Sequence, residues 1–129
     1  MIRATIAVAA GLIVWVILAT ALDLLLRAVL PGYAAAEPHL QFTLEMMVAR
    51  LALPGAIPSI GAGFASAWIA RGDRRVVAAL VVILLALFVP THYRLWAQFP
   101  VWYHLTFLFG SLMLLTLLGA KLRSLSFKI

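Results

Sequence analysis

The chain has no cysteine and few charged residues. Without cysteine among its 129 residues, it can form no disulfide, thiolate metal site, Fe–S cluster or cysteine nucleophile. Charged residues make up only 11% of the chain, against about a quarter in soluble proteins. Ten Lys and Arg against four Asp and Glu give a net charge of +6. So little polar surface cannot form the basic face of a nucleic-acid-binding protein, and nucleic acid is excluded as a partner.

Apolar residues, by contrast, make up 66% of the chain, and the mean hydropathy is +1.13. A bilayer core about 30 Å thick requires about 20 helical residues. Four stretches meet this requirement, and they predict helices over residues 4–30, 41–70, 74–90 and 101–122. We therefore expect an all-α polytopic membrane protein. Residues 1–129 form a single transmembrane domain, a four-transmembrane-helix bundle built from two hairpins.

Helix-breaking and capping residues set these boundaries. Pro31 and Gly32 end the first helix, Asp73 caps the third helix, and Pro90 ends it. The first apolar stretch also has the basic start and the Ala-Thr-Ala of a signal peptide over residues 19–21. Its apolar character continues for nine residues beyond this point, which favours a membrane helix.

The Lys and Arg residues at the ends of the predicted helices are distributed asymmetrically. The loops over 32–40 and 91–100 carry only Arg94. The opposite side carries seven cations: Arg3, Arg71, Arg74, Arg75, Lys121, Arg123 and Lys128. Because cytoplasmic segments are enriched in Lys and Arg, we expect both termini in the cytoplasm and both loops outside.

Four ionisable residues lie within the outer half of the first two helices. With a rise of 1.5 Å per residue, Asp23 and Arg50 lie about 10 and 13 Å deep, and Arg27 and Glu45 about 5 and 6 Å deep. The matching depths predict a buried charge network in which Asp23 pairs with Arg50 and Arg27 pairs with Glu45. Such a network either ties the two helices together or forms a hydrated ligand or proton site.

The second helix contains Pro54 and Pro58, which remove hydrogen bonds to the carbonyls four residues earlier and predict a kink. The freed carbonyls make this the expected place for a hydrated pocket, although simple curvature is the alternative. The same helix carries a stripe of small residues that predicts close helix packing, within this chain or with a second subunit: Gly55, Ser59, Gly63 and Ala67.

Aromatic and histidine residues cluster near the predicted outer surface. His39, His92 and His104 lack the regular helical spacing of a zinc motif, so we expect no metal site and no cofactor. Hydrolase, zinc-protease and phosphate-loop motifs are also absent. The outer-face binding candidates are His92, Tyr93, Trp96, Trp102, Tyr103 and His104.

The stretches LLLRAVLPGYAAAEP over 24–38 and FVPTHYRLWAQFPVWYHLTFL over 88–108 resemble those of small four-helix proteins of bacterial inner membranes. The resemblance covers most of the chain and implies the same four-helix topology and the same membrane. It implies no activity.

We therefore expect a non-enzymatic integral membrane protein, an accessory, assembly or ligand-binding subunit with its recognition surface on the outer face. Its expected partners are membrane lipids, with another membrane protein or a second copy of this chain as further candidates. The alternative is a small homo-oligomeric transporter or channel that uses Asp23, Glu45 and the kinked second helix.

Overall fold

The computed structural model describes residues 2–126, and every regular element in this range is helical. Four of these helices are long and apolar enough to span a membrane, which confirms the predicted all-α fold with four such spans. They are α1 (Ile2–Val29), α2 (Leu44–Ile69), α3 (Arg74–Arg94) and α4 (Val101–Leu125). Lys128, one of the cations counted above, lies outside the described residues.

Three helix boundaries differ by three or more residues from the sequence-based expectation: the start of α2, the end of α3, and the end of α4, which reaches Leu125 and not residue 122. Helix α2 begins at Leu44, not near residue 41, because the Thr43 side chain accepts a hydrogen bond from the backbone N–H of Met46 at 3.2 Å. Helix α3 continues through Pro90 to Arg94. Proline is tolerated inside membrane helices where hydroxyl side chains bond to backbone groups, and the Thr91 hydroxyl donates to the carbonyl of Leu87 at 3.4 Å.

Two of the long helices widen into π-helical turns that contact each other. In α2 the π-helical segment is Leu51–Ala56 and contains Pro54, while Pro58 lies in the first turn of the α-helical segment that follows. In α4 the segment is Thr106–Leu114, and the two segments are in contact. Such turns are frequent at functional sites.

Helix α2 has its most extensive contacts with α1 and α4. The backbone at Gly63 lies so close to that of Thr116 on α4 that a Cβ atom would overlap it, and Gly119 meets Ile60 in the same way. Part of the stripe of small residues therefore packs against α4 of the same chain. Ser59, another member of the stripe, faces α1, where its hydroxyl accepts a hydrogen bond of 3.0 Å from Trp15 Nε1.

The bundle has two dissimilar ends. The aromatic end, as we call it, contains two connections, residues 30–43 and residues 95–100. In the first, Gly32 has a φ of 82° and begins a helical turn over Tyr33–Ala36, followed by a 3-10 turn over Glu37–His39. The terminal end contains the start of α1, the end of α4 and the α2–α3 turn, where Gly72 has a φ of 80°.

Candidate functional site

We call the half of the bundle next to the aromatic end the aromatic half, and the other half the terminal half. A cavity of about 510 Å³ lies in the aromatic half, with walls from all four long helices. Thr20 and Leu24 of α1 and Thr91 of α3 line it and are exposed. The cavity therefore opens sideways between these two helices, and we call it the α1–α3 cleft. Its volume falls within the range of about 300–1,000 Å³ that is typical of small-molecule sites.

Aromatic rings from three helices form the floor of the cleft. The ring of Trp15 lies 4.8 Å from that of Phe88 and 6.5 Å from that of Phe107, between centroids. Phe88 and Phe107 are themselves 5.3 Å apart. Because these rings also pack together in the core, they give the cleft a firm apolar base.

Arg50 is the centre of the polar wall. Its Nη1 lies 3.6 Å from Asp23 Oδ1, so the structure brings together the two residues that were paired by depth. The same nitrogen donates to the Tyr33 hydroxyl at 2.5 Å and to Glu37 Oε2 at 3.3 Å. Its Nε donates to the hydroxyl of Tyr103 at 3.1 Å. One guanidinium thus connects α1, α2, α4 and the 30–43 connection.

Tyr33 is fully buried beneath this network. Its hydroxyl accepts the hydrogen bond from Arg50 and donates to Asp23 Oδ1 at 2.7 Å. Burial raises the pKa of Tyr33 above its usual value, and the hydrogen bond to Asp23 acts in the same direction. The hydroxyl therefore remains a protonated donor that holds Asp23 beside Arg50.

The predicted pairing of Arg27 with Glu45 is wrong. Arg27 Nε forms its hydrogen bond and ion pair with Glu37, and lies 3.9 Å from Asp23 Oδ2. Glu45 is exposed and does not line the cleft. Residues 45 and 50 are separated by about 140° around an α-helix, so with Arg50 directed into the bundle Glu45 faces away from it.

The network is also less buried than expected. The Arg27 side chain is 45% exposed and that of Asp23 is 29% exposed. Both residues also line the cleft. The charges thus form the rim of an open cleft and are accessible to a ligand.

Two of the outer-face candidates meet inside the protein. His92 and His104 are buried, and their Nδ1 atoms lie 2.7 Å apart. His104 Nε2 lies 3.2 Å from the backbone carbonyl of Trp96, whose ring stacks on the His104 ring at 4.6 Å. Only His92 of the pair lines the cleft.

The remaining candidates divide between the core and the surface. Tyr103 is buried and lines the cleft, where its hydroxyl meets Arg50. Tyr93 is 81% exposed, and Trp102 is 40% exposed; neither lines the cleft. His39 is also exposed. Within residues 2–126 no three metal-ligating side chains converge on one point.

Sequence reasoning missed Glu37 and Tyr33 as members of the site. Both lie on the short helical turns of the 30–43 connection, which was expected to be a plain loop. The turn at Gly32 returns the chain over the end of α1, so that Glu37 reaches Arg27, ten residues earlier. The Pro31-Gly32-Tyr33 sequence was the available signal, because this glycine requires a left-handed turn.

Comparison of the chain with protein-family models, with curated proteins and with solved structures finds no match.

Proposed function

We propose that this chain is a non-enzymatic integral membrane protein whose α1–α3 cleft binds the polar end of an amphipathic molecule. The observation that supports this proposal is the form of the cleft: an aromatic floor, a polar wall of both charge signs, and a lateral opening between two apolar helices. A bound amphiphile would place its head against the polar wall and its chain along the exposed faces of α1 and α3.

The proposal includes an orientation in a bacterial inner membrane, with both termini cytoplasmic and the cleft on the outer face. Its support is the concentration of cations at the terminal end. Single cysteines at Ala35 and Gln98, both exposed, should react with an impermeant reagent in intact cells, while a cysteine at Ser124 should not. Labelling at Ser124 alone would invert the orientation and place the cleft in the cytoplasm.

The pairing of the carboxylates favours binding over transport. In a proton-coupled carrier a membrane carboxylate has to exchange its proton with the substrate, so it needs to be free of fixed counter-charges. Asp23 is held by Tyr33 and Arg50, and Glu37 is held by Arg27. Glu45, which the transporter alternative also uses, is not part of the cleft.

Closing the cleft with a bulky side chain tests the proposal. Thr20 is exposed on its wall, so Thr20→Trp fills the opening, whereas Val16→Trp adds the same ring to an exposed part of α1 outside the cleft. We expect the wild-type protein and Val16→Trp to retain an amphiphile during purification in mild detergent. Native mass spectrometry should show it reduced about tenfold in Thr20→Trp, a loss of about 1.4 kcal/mol of binding free energy.

The identity of the retained molecule distinguishes amphiphile binding from a role as an accessory or assembly subunit. A lipid-like molecule that is lost only in Thr20→Trp supports amphiphile binding. A foreign membrane protein that is lost in the same way supports an accessory or assembly subunit whose cleft receives a partner helix. Equal retention in both variants contradicts the proposed site.

A further inference from the structure

The hydrogen bonds of the histidine pair determine which ring nitrogens carry protons. His104 Nε2 faces the backbone carbonyl of Trp96, and a carbonyl oxygen only accepts, so this nitrogen is protonated. In a neutral ring the other nitrogen, His104 Nδ1, then has a lone pair and no proton. His92 Nδ1, 2.7 Å away, is therefore the donor of the bond between the rings.

This assignment leaves an unused acceptor on a residue that lines the cleft. In neutral His92 the proton is on Nδ1, so Nε2 carries a lone pair. No hydrogen bond within residues 2–126 uses that nitrogen, and His92 lines the cleft. The carbonyl of Trp96 thus determines, through His104, that His92 Nε2 is a hydrogen-bond acceptor.

Arg50 supplies an unused donor on the same wall. Its Nε and Nη1 are engaged with Tyr103, Tyr33 and Glu37. In the described part of the chain no hydrogen bond uses Nη2, which carries two of the five guanidinium protons. Arg50, Tyr103 and His92 all line the cleft, and Tyr103 contacts the other two residues: its hydroxyl accepts a hydrogen bond from Arg50 Nε, and its ring centroid lies 6.2 Å from that of His92.

The charges around these two groups cancel. Asp23 and Glu37 balance Arg27 and Arg50 through the four ion pairs between them. A ligand head with a full negative charge would leave this balanced set with an excess charge in a partly desolvated place, which costs free energy. An uncharged head avoids this cost.

We propose that the α1–α3 cleft selects amphiphiles with an uncharged, hydroxyl-bearing head, the class to which the monoacylglycerols belong. An oxygen of the head accepts a hydrogen bond from Arg50 Nη2, and its hydroxyl donates one to His92 Nε2. This inference rests on the proposed function, because it specifies the ligand of the same cleft.

Three probes with the same eighteen-carbon unsaturated chain test the selectivity of the full-length chain in detergent. These are 1-monooleoylglycerol, methyl oleate, which lacks a hydroxyl group, and oleate, which is charged. We expect native mass spectrometry titrations to show 1-monooleoylglycerol binding about tenfold more tightly than methyl oleate, the effect of one hydrogen bond in a polar site. Oleate should bind no better than methyl oleate.

A histidine substitution identifies the acceptor. His92→Phe keeps a ring in the stack and removes the lone pair, so the affinity for 1-monooleoylglycerol should fall to that for methyl oleate, which itself should not change. His39→Phe alters an exposed histidine outside the cleft and should have no effect. On the wild-type protein, ¹⁵N NMR should show a non-protonated His92 Nε2 whose resonance shifts when 1-monooleoylglycerol is added.

The outcomes separate this inference from the proposed function. Equal binding of all three probes, abolished by Thr20→Trp, overturns the selectivity and leaves the cleft as a binding site. Tightest binding of oleate overturns it in favour of an anionic head. A protonated His92 Nε2 in the NMR spectrum overturns it even where His92→Phe fails to fold. Binding of no probe by the wild-type protein contradicts both proposals.

Discussion

The two halves of the bundle hold their helices together in different ways. In the terminal half, α2 and α4 are in backbone contact, with Gly63 against Thr116 and Gly119 against Ile60. In the aromatic half the same helices widen into π-helical turns, and polar side chains centred on Arg50 connect them across a cavity. Close packing in the terminal half keeps α2 and α4 in contact, so the aromatic half can contain a cleft.

Charge is also used differently at the two ends. At the aromatic end Arg27 and Arg50 meet Asp23 and Glu37 in four ion pairs. At the terminal end, Arg74, Lys121 and Arg123 line a second cavity of about 590 Å³, and no carboxylate from the described residues lines it. A surplus of positive charge suits an anionic lipid surface, whereas balanced charge suits a site that positions a polar head.

Removing one cation from each end should give the largest difference in stability and ligand retention between two variants. Arg50→Leu leaves Asp23 with one partner fewer and removes hydrogen bonds to Tyr33 and Tyr103. We expect a loss of about 2–4 kcal/mol of unfolding free energy, because partly buried charges lose their counter-charge. Thermal denaturation in detergent measures this loss, and native mass spectrometry should show that the cleft no longer retains its ligand.

Lys121→Leu is the matched control, because it removes one positive charge from an exposed position. It should change neither the thermal stability nor the ligand retained in the cleft. Equal effects of the two substitutions would show that overall charge matters and that the paired network of the aromatic end has no special role.

A smaller effect is expected from a substitution in the terminal half, where α2 and α4 pack closely because Gly63 has no side chain. Gly63→Ala forces a methyl group into the backbone of Thr116, so α2 and α4 have to separate, and we expect about 1–3 kcal/mol of destabilisation. Gly110→Ala is the control, since its methyl group would meet only Thr106 Cγ2 at an ordinary distance of 3.8 Å.

The two glycine variants should still bind ligand below their melting temperatures, because neither residue lines the cleft. Loss of ligand from folded Gly63→Ala would mean that the two halves are coupled more closely than their separate contacts indicate.

Much of the difference between the two halves could be predicted from the sequence, because it depends on features of single helices. Hydropathy gave the four spans, the four-residue spacing of small residues gave the packing face of α2, and helical rise gave the matching depths of Asp23 and Arg50. Each inference requires only the geometry of a regular helix.

The rest depends on contacts that no local pattern encodes. Glu37 reaches Arg27 because a connection folds back, and His92 reaches His104 because α3 continues past Pro90 for another turn. A depth calculation treats both connections as unstructured, and it ignores direction around the helix axis, which is why Glu45 was assigned the place that Glu37 holds.

Exchanging the two glutamates for their amides should give the smallest effect and tests this correction directly. Glu37→Gln removes the carboxylate shared by Arg27 and Arg50, whereas Glu45→Gln changes an exposed residue outside the cleft. Because the amide keeps an oxygen that accepts hydrogen bonds from both arginines, and because Arg27 is 45% exposed so that water and salt screen its ion pair, we expect only a small decrease in melting temperature for Glu37→Gln. The decrease should shrink as sodium chloride is raised, since the lost interaction is ionic. Glu45→Gln should melt like the wild-type protein at every salt concentration. A larger decrease for Glu45→Gln would restore the pairing by depth and would place Glu45, in solution, against Arg27.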